Sequence, residues 1–77
     1  MQCETIQQAA IADNISSLRL FIDDGEIDSQ DVLGNTAVHK AVERGCKNAL
    51  EELHKHHANM EVQNEQGWTP AHVAVVS

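Results

Sequence analysis

Gly67-Trp68-Thr69-Pro70-Ala71-His72-Val73-Ala74 and, 33 positions upstream, Gly34-Asn35-Thr36-Ala37-Val38-His39-Lys40-Ala41 are two copies of one pattern. Gly, Thr, His and Ala recur in a single register, and four chemically special residues at one spacing are hard to obtain by chance. A fainter copy precedes them at an offset of 32, pairing Ala9 with Ala41, Ala10 with Val42, Leu18 with Leu50 and Phe21 with Leu53. The connection there is one residue shorter, since Gly25 to Gly34 spans nine steps and His57 to Gly67 spans ten. A fixed period of this length is the mark of a repeat architecture, so it takes precedence over residue-by-residue assignment.

Each copy reads as two short helices. Thr36 and Thr69 are N-caps, because a hydroxyl accepts from the free N–H groups of a first helical turn. Pro70 suits the position that follows, where a missing N–H is harmless. The spacing predicts a first helix over 36–44, closed by Gly45, and a second over 48–56. In the second, Ala49, Leu50 and Leu53 share a face while Glu51, Glu52 and Lys55 are expected to point outward. Ile15, Leu18, Phe21 and Ile22 form the equivalent face upstream. Gly34 and Gly67 allow a tight turn before each Thr. One such helix pair cannot bury its own apolar face, so the pairs must stack.

The pattern resembles the ankyrin-repeat family, whose 33-residue unit carries T-P-L-H-x-A. Thr69-Pro70-Ala71-His72-Val73-Ala74 matches with Ala for Leu, and Thr36-Ala37-Val38-His39-Lys40-Ala41 with Ala for Pro and Val for Leu. The resemblance covers nearly the whole chain. It implies an all-α fold: a short solenoid of stacked helix-turn-helix units with hairpin-like connecting loops. The expected organisation is one domain over 1–77, with a degenerate N-terminal capping repeat (1–30), a complete repeat (31–63) and a truncated third (64–77). The first repeat departs most, with Glu4 and Gln7 where Thr and His would stand. Because Ser77 falls at the end of a first helix, the sequence reads as a fragment of a longer array or as a chain that pairs with a copy of itself through Val73, Val75 and Val76.

Composition narrows the function. The 77 residues are 42% hydrophobic and 22% charged, ordinary for a globular protein, with Phe21 and Trp68 the only aromatics. The core must therefore be aliphatic. A net charge of −7 argues against nucleic acid and against anionic membrane as partners. Asp23, Asp24, Glu26, Asp28 and Asp31 concentrate that charge and read as a solvated loop face, or more sharply as a patch for a basic partner. No signal-peptide pattern or membrane-length apolar run is present, so Cys3 and Cys46 are expected as free thiols in a reducing compartment, the cytoplasm or the nucleus. Without a secretory route, the acceptor pattern Asn14-Ile15-Ser16 carries little weight.

Several chemistries can be weighed and set aside. His39 and His72 recur with the repeat, and the resemblance implies that they bond the Thr and the neighbouring loop rather than act in catalysis. No nucleophile elbow, phosphate loop or zinc-protease motif accompanies them. His54, His56 and His57, with Glu51 a turn before, could in principle hold zinc or respond to pH. The structural reading is stronger: His57 stands where the family has Gly and a positive φ, His54 where it has a core Leu, and His56 on the solvent face. The acidic stretch lacks the glycine and terminal glutamate of a calcium loop. No cofactor and no metal are expected.

What remains is protein binding. The resemblance implies that partners meet the loop tips and the exposed side of the first helices. The positions free of structural duty are then Val32, Leu33 and Asn35 in one repeat and Glu65, Gln66 and Trp68 in the next, with Glu43 and Arg44 on the concave helix side. Val32, Leu33 and Trp68 would supply binding energy, since exposed apolar residues at a tip call for a partner and large aromatics concentrate affinity. The others would supply specificity. An alternative for Trp68 is that its ring covers its own repeat. Leu20 also lies off the main stripe of its helix. The rival reading is a capping segment with no binding role of its own.

Overall fold

The computed structural model describes residues 5–76, without the side chain of Val76. Five helices follow one another: α1 (Ile6–Ile11), α2 (Ile15–Asp23), α3 (Ala37–Arg44), α4 (Lys47–Lys55) and α5 (Pro70–Val76). The described residues contain no strand. α1 packs on α2 and α3 on α4, while α3 lies between α1 and α5 and α4 lies against α2. The chain is thus two parallel rows, α1-α3-α5 and α2-α4, as a stack of helix pairs requires. Cys3, Glu4 and Ser77 lie outside the described residues.

The local chemistry of the second repeat explains its boundaries. Thr36 accepts from the His39 amide at 3.4 Å, and His39 Nδ1 accepts from the Thr36 amide at 3.1 Å, a reciprocal cap in which His takes the usual acidic role. Since Nδ1 accepts, the ring proton sits on Nε2, which donates to the Trp68 carbonyl at 2.7 Å. The buried His39 thereby ties its helix to the next loop. Gly45 ends α3 at φ 67. The two helices expected over 36–44 and 48–56 are found within a residue of those limits.

The first repeat is less degenerate than its sequence suggests. The cap is Thr5, which accepts from the Gln8 amide at 3.1 Å, one position after the residue aligned with Thr36. Gln7, aligned with His39, is buried and donates through Nε2 to the Asn35 carbonyl at 2.9 Å and the Ser29 carbonyl at 2.7 Å. Asn35 and Trp68 are 33 positions apart, so Gln7 reaches the same point in the next loop as His39 does.

Ile6, Ala9, Ala10, Leu18, Ala37, Val38, Ala41, Ala49 and Leu53 form the core. Alanine recurs where α1 and α3 face each other, which lets the two backbones approach. Two expectations for α4 are corrected. His54 is exposed, not a core residue, and Glu52, read as outward, is only 8% exposed. The Glu52 edge of α4 meets α2 rather than water, while Glu51 and Lys55 are exposed as expected: Arg19 donates through Nε to Glu52 Oε2 at 3.0 Å and through Nη2 to Oε1 at 3.4 Å. The hydrogen bond from Arg19 holds the Glu52 carboxyl below the usual carboxylate range; burial opposes the shift, and the His56 ring, 3.0 Å from Oε2, adds to it.

A second tie between repeats comes from Asp13, which holds φ 54 at the position aligned with Gly45. Its Oδ1 accepts from the Ala49 amide at 2.9 Å and its Oδ2 from Asn48 Nδ2 at 3.2 Å. α4 has no side-chain cap from its own N-cap residue, Cys46, so Asp13 of the preceding repeat caps it instead. His57 also holds positive φ, 63, as expected of a residue in glycine's place.

Candidate protein-binding surface

The loops before α3 and α5 are built alike. Asp31 Oδ1 accepts from the amides of Leu33 at 3.0 Å and Asn35 at 2.9 Å, and Asn64 Oδ1 accepts from Gln66 at 2.9 Å and Trp68 at 3.0 Å. A short acidic or amide side chain thus folds each loop onto its own backbone. Gly34 and Gly67, both at φ 79, complete the turns through amides bonded to the Asp31 and Asn64 carbonyls. The tips are also bonded to each other. The Glu65 amide donates to the Leu33 carbonyl at 2.9 Å, Asn64 Nδ2 to Asn35 Oδ1 at 2.9 Å, and Gln30 Nε2 to the carbonyls of Gly34 and Gln63 at 2.9 and 3.0 Å.

This scaffold throws two side chains outward: Val32 is 92% exposed and Leu33 56%. Glu43, Arg44, Glu65 and Gln66 are exposed as expected, and Trp68 is 36% exposed. The Trp68 side chain is thus neither buried nor fully open. Asn35 is corrected. It is buried, its Oδ1 is occupied by Asn64, and its backbone is held by Gln7 and Asp31, so it belongs to the scaffold. A place beside the loop glycine does not leave a residue free, because both neighbouring repeats reach it.

Two adjoining hollows lie under the tips. One, of ≈ 340 Å³, is lined by Thr5, Gln7, Gln8, Ile11, Asp31, Val32, Leu33 and Lys40. The other, of ≈ 370 Å³, is lined by Leu33, Asn35, Lys40, Glu43, Asn64, Gln66, Trp68 and Val73. Leu33 and Lys40 line both, so the two hollows run together as one trough shared by an apolar loop tip and a lysine. Lys40 was missed, although the register marks it: Gln8, Lys40 and Val73 recur at spacings of 32 and 33 and line the trough in turn. Lys40 lies 3.8 Å from the Glu43 carboxylate, which sits 3.9 Å from Arg44.

The other candidates are placed as follows. Among the described residues no group of three or more His, Cys, Asp or Glu is disposed to hold a metal ion. Asp23, Asp24, Glu26 and Asp28 are exposed, and Asp28 Oδ1 accepts from the Asn59 amide at 2.8 Å. Leu20 is 68% exposed. Cys46 is a free, half-buried thiol donating to the Ile11 carbonyl at 3.4 Å. Of the residues read as a self-association face, Val73 is corrected to buried, Val75 is 85% exposed, and the side chain of Val76 lies outside the described residues. Among the described residues no helix is long and apolar enough to cross a membrane.

A family model for ankyrin repeats in three copies matches residues 6–77. The chain is similar to ankyrin repeat domain-containing protein 13C of Danio rerio, 33% identical over 70 residues, and to ankyrin repeat domain-containing protein 13C-B of Xenopus laevis, 34% identical over 70 residues. Each match covers 91% of this chain and 14% of the relative's length. With its reciprocal Thr36–His39 cap, its row of short helix pairs and this match over nearly all of its length, the chain belongs to the ankyrin-repeat family.

Proposed function

We propose that this chain is a protein-interaction module that holds its partner on the loop tips and the concave trough. Ankyrin repeats are in general modules of this kind rather than catalysts. The observation that carries the finer assignment is Leu33, an apolar residue 56% exposed on a loop cross-bonded to its neighbour and lining both hollows. The loop hydrogen bonds fix the tip before a partner arrives, so little ordering entropy opposes binding. Val32 and Leu33 anchor the partner, Trp68 adds the part of its ring that remains open, and Glu43, Arg44, Glu65 and Gln66 read its polar groups. Lys40 joins them from within the trough. The free thiol of Cys46 suits a reducing compartment, the cytoplasm or the nucleus.

The test is affinity capture with the chain and with a Val32→Ser/Leu33→Ser version, whose exposed side chains leave the backbone bonds intact. Each lost anchor should weaken a captured protein's affinity by about 2 kcal/mol, roughly 30-fold. Equal capture by both versions overturns the loop-tip assignment. The alternative, a segment that only caps a longer array, predicts no protein whose capture depends on these two residues.

A further inference from the structure

The net charge of the chain resides in the segments that carry its loops. All five Lys and Arg fall within 1–19 and 40–55, where five acidic residues balance them. Segments 20–39 and 56–77 hold the other seven acidic residues, five of them from Asp23 to Asp31 and then Glu61 and Glu65. They hold no Lys or Arg, so they account for the whole −7. These segments lead from α2 into α3 and from α4 into α5. They meet through the bond from the Glu65 amide to the Leu33 carbonyl and through Asp28 Oδ1, which accepts from the Asn59 amide. Among the described residues the ion pairs join Arg19 and His56 to Glu52, and Lys40 and Arg44 to Glu43, so none of the seven carboxylates is neutralised by one.

The trough lies beside these carboxylates. Asp31 lines one hollow and precedes Val32, and the exposed Glu65 stands between Asn64 and Gln66, which line the other. Like charges on two loops bonded to each other repel, and a cation placed against both relieves that repulsion. The α3 side differs in sign. There Lys40 and Arg44 flank a single carboxylate, Glu43, at 3.8 and 3.9 Å. A segment seated in the trough therefore meets uncompensated negative charge on its loop side and an excess of positive charge on its helix side.

We propose that the occupant of the trough is a basic peptide segment of a partner protein, with a bulky apolar residue against Leu33 and Trp68 and with Lys or Arg on the side that faces the loops. This rests on the trough being the binding surface and adds the charge of what it takes. A neutral or acidic segment fills the same apolar hollows but leaves the loop carboxylates unpaired, and it forgoes the attraction that speeds the encounter. That attraction extends over about 8 Å at physiological salt, which reaches a segment seated against the loop tips.

The probe is a display library of random dodecapeptides selected on the full chain at physiological salt, with the selected peptides then synthesised. They should carry a bulky apolar residue and at least two Lys or Arg. In low salt each should associate at least ~10-fold faster with the chain than with an Asp28→Asn/Asp31→Asn/Glu61→Gln/Glu65→Gln version, and the gap should close in about 0.5 M NaCl. That version keeps the loop geometry, because Asn accepts through Oδ1 as Asp does, and Asn64 already plays the part of Asp31 one repeat on. Selected peptides with no excess of Lys and Arg, or equal association with both chains in low salt, overturn the charge assignment. If those peptides still lose affinity with Val32→Ser/Leu33→Ser, the trough remains the binding surface. Basic peptides indifferent to Val32→Ser/Leu33→Ser overturn both readings. Octalysine binding as tightly as the selected peptides overturns the proposal, since charge alone would then be recognised, and so does a selection that enriches nothing.

Discussion

Replacing Gly34 and Gly67 separately by alanine distinguishes a turn's need for positive φ from a repeat's need for close contact. Both glycines hold φ 79, a conformation that is unfavourable for an L-residue by about 1–2 kcal/mol. A Cβ on Gly67 has nothing within 4 Å, so this penalty should be the whole effect there. A Cβ on Gly34 falls 2.8 Å from the Glu65 nitrogen and 3.0 Å from the Asn64 Cα. These are backbone atoms and cannot rotate away, so the loops must separate. Separation stretches the Glu65 N–H to Leu33 carbonyl bond and the Asn35–Asn64 side-chain bond, with overpacking of this kind typically destabilising by about 1–3 kcal/mol. Gly34→Ala should therefore lose about 2–5 kcal/mol and Gly67→Ala about 1–2 kcal/mol. At about 4–8 °C per kcal/mol for a domain of this size, the two melting temperatures should differ by at least ~4 °C. Urea and thermal denaturation followed by far-ultraviolet circular dichroism give both quantities, and hydrogen exchange should show lost protection of the Glu65 amide only in Gly34→Ala. Equal destabilisation by the two substitutions would refute the reasoning.

Three further outcomes follow from contacts between repeats. Because Arg19 lowers the Glu52 carboxyl below its usual range, the stabilisation from that carboxylate is complete above the unfolded value of about 4.3 and disappears as pH falls through the lower folded one. Glu52→Gln should then melt below the parent chain near neutral pH, by a deficit that closes on acidification and shrinks with salt; a deficit constant with pH contradicts this. Asp13→Ala should lose about 1 kcal/mol by uncapping α4, whereas Asp13→Asn, which keeps the Oδ1 acceptor, should stay within a few tenths, as chemical denaturation would show. Gln7→Ala leaves the Ser29 and Asn35 carbonyls without their donor and should lose about 1–3 kcal/mol, whereas Gln7→Glu, which keeps only an acceptor, should do no better.

The parts of this fold that a sequence reveals are those in which a residue acts on its own neighbours. Thr36 and Gly45 were legible because caps and turns depend on positions two to four residues away, and the role of His39 and the positive φ of His57 through the resemblance to the family. Contacts across the repeat were legible only through the register. Gln7 looked like a loss of the motif histidine, yet any long side chain with an N–H at its end can reach the next loop. Glu52 looked solvated because a single helix, considered alone, cannot show that its polar side abuts another. Asn35 looked free because its partner, Asn64, belongs to the next loop. Lys40 and Asp13 follow the same rule: aligning the copies column by column marks them, whereas motif matching passes over them.

The ties between repeats share one property: all are short in sequence. Among the described residues, the long-range side-chain hydrogen bonds that join successive repeats span 28 to 36 positions, from Gln7–Asn35 to Asp13–Ala49. Among the described residues no such bond clasps the first helix to the last. Pulled from its termini, the chain should yield as a zipper does, one unit at a time, each step releasing about 33 residues or roughly 110–120 Å of extended chain. The plateau of force, rather than a single rupture, would be the mechanical signature of the register first seen in Gly34 and Gly67.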